Sequence, residues 1–534
     1  MKPVADSKEL MKGAMILTLA ALVTKILSAV YRVPFQNIVG DIGFYIYQQV
    51  YPFFGIVMVL STYGFPVVIS KLYTEQQAAG NRGRADRLLA ISLVFLGLIG
   101  VLLFSFFYFG SGWIAEKIGD PELMPLFKVV SVPFLIFPFT SVFRGYFQGK
   151  GNMVPTAVSQ VSEQFIRVAT ILILSAVLVQ QGFSLYVTGA GAVFGSITGG
   201  LISVLILSFF YLKNGGANPF THFHVKDLFK DSAWVVKALI IQGFAISISG
   251  MLLILLQLAD SLNMYASLLA MGLTAEEAKS AKGIFDRGQP LIQLGTVVAT
   301  SMSLSLVPAI SGDKSSNRRE KILPKVRLAL QTSLVFGAAA AVGLYSIIVP
   351  LNIMLFENAN GSDVLGVLSL MILFGSVILT IMSILQGLDK SIFPAAVILA
   401  GFGLKYILNP LLIPAAGTMG AAIATLAAML VVMFILTFKL RRELGQPVLS
   451  VVFISKILFS SIVMAVILRL FLYLTDFGYE YIEPDRLGAV LQAFSAVVIG
   501  ALVYFFILIK IRALTEEELG TLPFGSRIVQ LFLK

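Results

Sequence analysis

Apolar runs of about 20 residues recur from one end of this chain to the other, and that recurrence sets what it can fold into. A helix rises about 1.5 Å per residue, so each run is long enough to cross the roughly 30 Å hydrocarbon core of a bilayer. Hydrophobic residues make up 57% of the 534, and charged residues 13%. A soluble domain carries about 25% charge, nearly twice as much. The chain therefore reads as all-α, a polytopic membrane protein of about 14 transmembrane helices. The first apolar run lacks a small-residue cleavage site and exceeds an ordinary signal sequence, so the expectation is an uncleaved first span. With no cysteines, disulfides, thiol catalysis and cysteine-ligated metals are excluded. The net charge of +11 is expected in loops at an anionic cytoplasmic leaflet rather than on nucleic acid.

The first six spans are placed near residues 11–39, 44–73, 87–109, 124–147, 153–181 and 185–212. Six more fall near 233–261, 284–311, 326–350, 363–386, 391–412 and 418–439, and a last two near 451–474 and 487–511. Loop charge tests this layout. Alternate loops collect Arg82, Arg84 and Arg87; Lys213, Lys226 and Lys230; Lys314, Arg318, Arg319 and Lys321; and Arg441 and Arg442. The intervening loops hold Asp41, Asp120 with Glu122, Glu357 with Asp363, and Asp476, Glu480, Glu483 and Asp485. Cations accumulate on the cytoplasmic side. Both termini are then expected in the cytoplasm of a bacterial cell.

The chain also repeats. Phe147-Gln148-Gly149 followed by Pro155 closes span four and opens span five; Leu385-Gln386-Gly387 followed by Pro394 does the same for spans ten and eleven, about 238 residues on. Repeated halves with a site between them are a transporter pattern. The expected organisation is a six-helix bundle at 1–212, a cytoplasmic linker at 213–232, a second six-helix bundle at 233–443, and two additional helices with a tail at 444–534. His222 and His224 in the linker have no acid cluster beside them, so neither a metal site nor a cofactor is expected.

Charges inside the spans carry the functional argument. Lys25 and Arg32 sit in span one, seven residues apart and so near one helix face. A cation at the bilayer centre costs roughly 2.5–3.5 kcal/mol and persists where it meets a wet cavity, an acid or an anionic substrate. Span five holds Glu163 and Arg167, spaced to pair along the helix. Span seven holds Asp260, span eight opens with Asp286-Arg287-Gly288-Gln289-Pro290, span eleven holds Lys405 and span thirteen Arg469. Prolines at 52, 66, 133, 138, 290 and 308 break spans two, four and eight, as do the hydroxyl-rich stretches Ser61–Pro66 and Ser301–Ser305. The cations suit a phosphate-bearing headgroup, which arginine binds in bidentate fashion.

These pieces resemble the multidrug/oligosaccharidyl-lipid/polysaccharide exporter superfamily. The nearest branch is the polysaccharide transporters, which includes stage V sporulation protein B and the lipid II flippases. The likeness rests on Lys12-Gly13 leading to Thr24-Lys25-Ile26-Leu27, on Tyr51-Pro52, on Ser61-Thr62-Tyr63-Gly64-Phe65-Pro66, and on Gly283-Ile284-Phe285-Asp286-Arg287-Gly288-Gln289-Pro290. The chain departs from the branch where Lys25 replaces an arginine, where Tyr31 precedes Arg32, and where Pro52 is followed by Phe53-Phe54-Gly55-Ile56 without a charge. The last difference points away from lipid II itself and toward another undecaprenyl-pyrophosphate-linked sugar.

The resemblance implies two six-helix bundles around a central cavity and alternating access. The expected function is a flippase or exporter of a lipid-linked oligosaccharide or cell-wall precursor, not an enzyme. Its partners would be the anionic lipid-linked sugar, membrane lipids, and cell-wall or polysaccharide synthesis enzymes. Lys25, Arg32, Arg287, Asp286 and Gln289 are expected to bind substrate. Glu163, Arg167, Asp260 and Lys405 are expected in coupling or structural ion pairs. Two alternatives stand beside it. A cation-coupled multidrug antiporter would need unpaired cavity acids. A membrane enzyme acting on lipid-linked sugars would need acids at the outer face.

Overall fold

The computed structural model describes residues 7–214, 225–297, 299, 310, 322–479 and 486–513. The linker histidines His222 and His224, the Ser301–Ser305 stretch with Pro308, the basic residues 314–321, and Glu480, Glu483 and Asp485 lie outside the described residues. Among the described residues the elements are helical, and twelve helices are long and apolar enough to cross a membrane. Two of those twelve are long runs, Met15–Ala78 and Ile392–Leu444. Each contains a glycine with non-helical backbone, Gly40 (φ 68°) and Gly417 (φ 57°). A positive φ suits glycine because it has no Cβ to clash. Both kinks fall where the sequence separates spans one from two and eleven from twelve.

The residues fall into two compact units, 1–286 with 390–417, and 287–389 with 418–534. In the first unit, spans five and six pack closely as the helices Val154–Gln180 and Leu185–Lys213. A Cβ on Gly195 would sit 2.9 Å from the Arg167 carbonyl, and one on Gly199 2.7 Å from that of Glu163. Small residues at this i, i+4 spacing let two backbones approach inside a bilayer.

In the second unit, span nine (Ile322–Ser346) packs on the two additional helices, Val451–Tyr479 and Arg486–Lys510. Val335, Ile457, Met464, Leu468 and Tyr504 form an apolar core there. The Tyr504 hydroxyl donates to the Val335 carbonyl at 2.9 Å, which satisfies its one polar atom in that core.

The repeated corners are built alike. In the first unit an 8-residue helix, Met124–Ser131, breaks at Val132 and continues as the 17-residue helix Pro133–Gly149. In the second, the 8-residue helix Ser362–Ser369 breaks at Leu370 and continues as the 17-residue helix Met371–Gly387. Corresponding ends lie about 238 residues apart, the offset of the sequence repeat. The break residues also bond alike, Val132 to the Val129 carbonyl and Leu370 to that of Val367, each at 3.2 Å.

Candidate functional site

The polar interior of the first unit begins at a distortion in span two. Residues Leu60–Gly64 form a π-helical turn just ahead of Pro66. Proline offers no N–H to the helix ladder, and its ring crowds the preceding turn. The carbonyls of Leu60 and Ser61 accept from Ser141 Oγ (3.3 Å) and Arg144 Nη1 (3.1 Å). Arg144 is fully buried and makes five bonds in all. It donates also to Thr62 Oγ1 (3.1 Å), Ser159 Oγ (3.3 Å), Ser203 Oγ (2.9 Å) and Glu163 Oε2 (2.6 Å) from its Nη1, Nε and Nη2 atoms. Every donor of this guanidinium is used.

This geometry corrects the pairing of Glu163 with Arg167. Glu163 pairs across helices with Arg144, a residue of span four that the spacing argument overlooked. Arg167 is 2% exposed, and it donates through Nη2 to Gln164 Oε1 while Nε and Nη1 have no hydrogen-bond partner among the described residues. The i, i+4 rule identifies neighbours on one helix surface. It is silent about an arginine that reaches in from another helix. Phe143-Arg144-Gly145 in an otherwise apolar span was the available signal.

Arg32 is fully buried, and its three guanidinium nitrogens have no hydrogen-bond partner among the described residues. Its Cζ lies 4.3 Å from the ring centroid of Tyr51, a cation–π contact. The Arg167 Cζ lies 4.7 Å from the Phe54 ring, one turn further along span two. Tyr47 completes this aromatic face, its hydroxyl 2.8 Å from that of Tyr31. Two buried cations thus rest on an aromatic ladder, with no acid paired to either among the described residues. Lys25 is half-buried on the helix Ser7–Val30.

Asp260 of span seven and Lys405 of span eleven, both expected in coupling or structural ion pairs but not matched to each other by the sequence, meet in one pair. Lys405 Nζ lies 2.6 Å from Asp260 Oδ2, and both are buried. Asn409 Nδ2 donates to Asp260 Oδ1 (3.1 Å) and to Asn263 Oδ1 (2.9 Å), so the acid is held by two groups. Asp286, also buried, accepts from Lys282 Nζ at 2.8 Å, a lysine that the sequence placed in a loop. Both lie on the helix Ala275–Asp286, which packs against span two.

That helix begins with a capping box. The Thr274 backbone N–H donates to Glu277 Oε2 (2.9 Å), and the Glu277 N–H to Thr274 Oγ1 (3.3 Å). Hydrogen bonds from the Thr274 backbone and hydroxyl hold the Glu277 carboxyl below its usual pKa. Further along, Lys279 reaches Tyr186 (2.6 Å) and Asp120 (3.6 Å), and the Tyr45 hydroxyl donates to Asp120 Oδ2 at 3.1 Å.

Arg287 and Gln289 belong to the second unit. Arg287 is fully buried and donates through Nη1 to Asn358 Oδ1 at 2.7 Å; its Cζ lies 5.1 Å from the Phe356 ring. Gln289 is buried in the helix Gly288–Gly295. Among the described residues no cluster of three or more histidines, cysteines or acids is arranged to hold a metal.

Helices that cross a bilayer and bury several cations against aromatic rings define a multi-pass membrane protein with a basic interior. Residues 10–312 match the polysaccharide biosynthesis protein family, and the chain belongs to it. The uncharacterized membrane protein YabM of Bacillus subtilis (strain 168) is 44% identical over 517 residues, covering 97% of this chain and 95% of that one. The lipid II flippase MurJ of the same organism is 24% identical over 526 residues, covering 94% and 95%. A solved structure of lipid II flippase MurJ in its inward closed conformation matches with a TM-score of 0.68 at 18% identity, covering 93% of this chain and 99% of that one. The resemblance to the multidrug/oligosaccharidyl-lipid/polysaccharide exporter superfamily therefore holds, and the fold is the one that superfamily shares.

Proposed function

We propose that this protein flips an undecaprenyl-pyrophosphate-linked oligosaccharide or cell-wall precursor across the bacterial cytoplasmic membrane by alternating access. The observation that carries this reading is Arg32, a fully buried guanidinium with no hydrogen-bond partner among the described residues. An unneutralised cation inside a membrane protein is costly, and an anionic headgroup relieves that cost. Lys25, Arg32 and Arg287 attract the pyrophosphate while the polyprenyl tail stays in the bilayer. Family membership and the lipid II flippase among its relatives support a lipid-linked substrate. No bond is made or broken in this cycle.

The antiporter reading needs free acids. Glu163, Asp260 and Asp286 each accept from a buried cation, Arg144, Lys405 and Lys282 respectively. That favours an anionic substrate over a cationic one.

A headgroup-accessibility assay in proteoliposomes, run with a panel of polyprenyl-linked sugars, tests the proposal. Arg32→Ala and Arg287→Ala should each cut flipping at least tenfold while the protein still inserts. Arg287→Lys should keep part of the activity if charge attraction dominates, and little if bidentate geometry does. Full flipping by a Lys25/Arg32/Arg287 triple-alanine variant would sink the site. Absence of flipping for every sugar in the panel would sink the function. The proposed orientation puts both termini in the cytoplasm. Because the chain has no cysteine, single cysteines report it directly: one at exposed Asn360 should label from outside, and one at exposed Arg442 only after permeabilisation.

A further inference from the structure

We infer that the second unit binds one phospholipid whose headgroup carries both a phosphate and a primary ammonium, in a cavity between span nine and the two additional helices. The cavity measures about 400 Å³, within the range of roughly 300–1,000 Å³ of small-molecule sites. A change of packing partner creates it. The helix Ile322–Ser346 packs on Val451–Tyr479. After a break at Ile347, the short helix Ile348–Phe356, with Pro350 in its first turn, packs on Arg486–Lys510 instead. Ser346 and Pro350 line the gap left at this crossing.

Arg469 and Asp476 line the same cavity from span thirteen. Seven residues put them near one helix face, about 10 Å apart along its axis. Neither is the other's partner. Arg469 Nη2 meets the Tyr345 carbonyl at 3.5 Å, a long contact, and its Cζ lies 5.6 Å from the Tyr345 ring. Asp476 Oδ1 accepts from Gln492 Nε2 at 2.8 Å, and the same amide donates to Thr475 Oγ1 at 2.7 Å, which fixes the carboxylate through one oxygen. The order of the two charges selects the ligand. The apolar span ends at Asp476, so Arg469 lies about two turns inside it. A glycerophospholipid carries its phosphate next to the glycerol and its amine beyond, farther from the hydrocarbon. A guanidinium inside and a carboxylate at the rim match that order, each facing its charge-assisted hydrogen-bond partner. An anionic headgroup without an amine would meet Asp476 as a like charge, and a quaternary ammonium offers it no N–H. Leu470, Tyr473 and Leu474 are exposed beside the cavity, so the acyl chains of a bound lipid stay against an apolar surface in the bilayer.

The inference does not depend on which substrate the protein flips. Native mass spectrometry of the purified, delipidated full-length protein tests it. Phosphatidylethanolamine, phosphatidylglycerol and phosphatidylcholine with the same acyl chains are titrated in turn. One copy of phosphatidylethanolamine should bind at least fivefold more tightly than either of the others. Arg469→Gln and Asp476→Asn should each weaken that binding at least fivefold, and Asp476→Asn should leave phosphatidylglycerol bound no more weakly than before. Val349 also lines the cavity, and Val349→Trp, which fills the space without touching a charge, should displace the lipid as well. Arg442→Gln, at an exposed position, should change nothing. Arg469, Asp476 and Val349 are themselves exposed, so the three variants leave the buried packing intact, and any one that folds carries the test. Equal binding of the three lipids overturns the inference. So does a preference for phosphatidylglycerol, or a phosphatidylethanolamine preference that survives these substitutions.

Discussion

Glu163 lies 2.6 Å from Arg144 of the neighbouring helix and leaves Arg167, one turn along its own helix, without an acid among the described residues. Breaking a buried pair by removing one partner typically costs about 3–5 kcal/mol, because the other charge stays buried alone. Arg144→Met should therefore lower stability by about that much. The double variant Arg144→Met with Glu163→Leu should recover most of the loss, since it leaves no charge behind. Thermal unfolding of the purified variants in detergent measures both. Strictly additive losses would mean that the two residues are not coupled.

Asp260 and Lys405 should behave as a second pair. Lys405→Met leaves Asp260 held by the Asn409 amide, and Asp260→Asn takes from the buried Lys405 its ion-pair partner and leaves it the weaker pull of Asp286. Each single variant should lose most of its folded yield. Asp260→Asn combined with Lys405→Met should restore yield, measured by size-exclusion chromatography after membrane extraction. If the restored double variant also flips lipid at the wild-type rate, the pair is structural. If it folds and does not flip, the pair couples the cycle.

Much of this was legible in the chain. Apolar run length fixed the helices, and the glycines at 40 and 417 stand at the span boundaries because a tight corner needs a positive φ. The Gln-Gly corners at 148–149 and 386–387 end helices of equal length. Arg32 was legible as a costly cation, and Asp260 and Lys405 as charges to be paired, though not as each other's partner. The partners of Glu163 and Asp286 were not. Local spacing offered Arg167 for Glu163, whereas packing supplied Arg144 from another helix; Asp286 pairs at i, i+4 with Lys282 of its own helix, a spacing hidden because Lys282 was read as lying between spans seven and eight. Spacing along one helix encodes neighbours on that helix; which side chain arrives from another is decided by glycine contacts and the π-helical turn.

Acid should loosen the start of the helix Ala275–Asp286. Glu277 is exposed, and its carboxyl is held below its ordinary value of 4.5 by the hydrogen bonds from Thr274. A depressed folded-state pKa means the cap stabilises above the unfolded value and is lost as pH falls through the folded value. Hydrogen exchange at residues 274–278 should therefore be unchanged from pH 7 to pH 5, after correction for the intrinsic rate, and should rise below pH 4.5. Glu277→Ala should show the faster exchange already at neutral pH. A protection profile that is flat down to pH 3 would remove the cap from this account.

Gly283 should not tolerate even a methyl group. A Cβ there would collide with the backbone carbonyl of Asp41, next to the positive-φ corner at Gly40. Backbone atoms yield far less readily than the end of a flexible side chain, and overpacking of this kind costs about 1–3 kcal/mol. The same close approach seats the Ala275–Asp286 helix on span two and so places Lys282 and Asp286. Gly283→Ala is expected to lower the unfolding temperature by several degrees and to reduce flipping with it. Gly403→Ala, with open space around its Cβ position, should do neither. The comparison isolates the contact from the general helix preference for alanine, which acts in the stabilising direction at both sites. Equal melting of the Gly283→Ala variant and the wild type would show that Asp41 can move aside, and the fixed seating of this helix would then have to be abandoned.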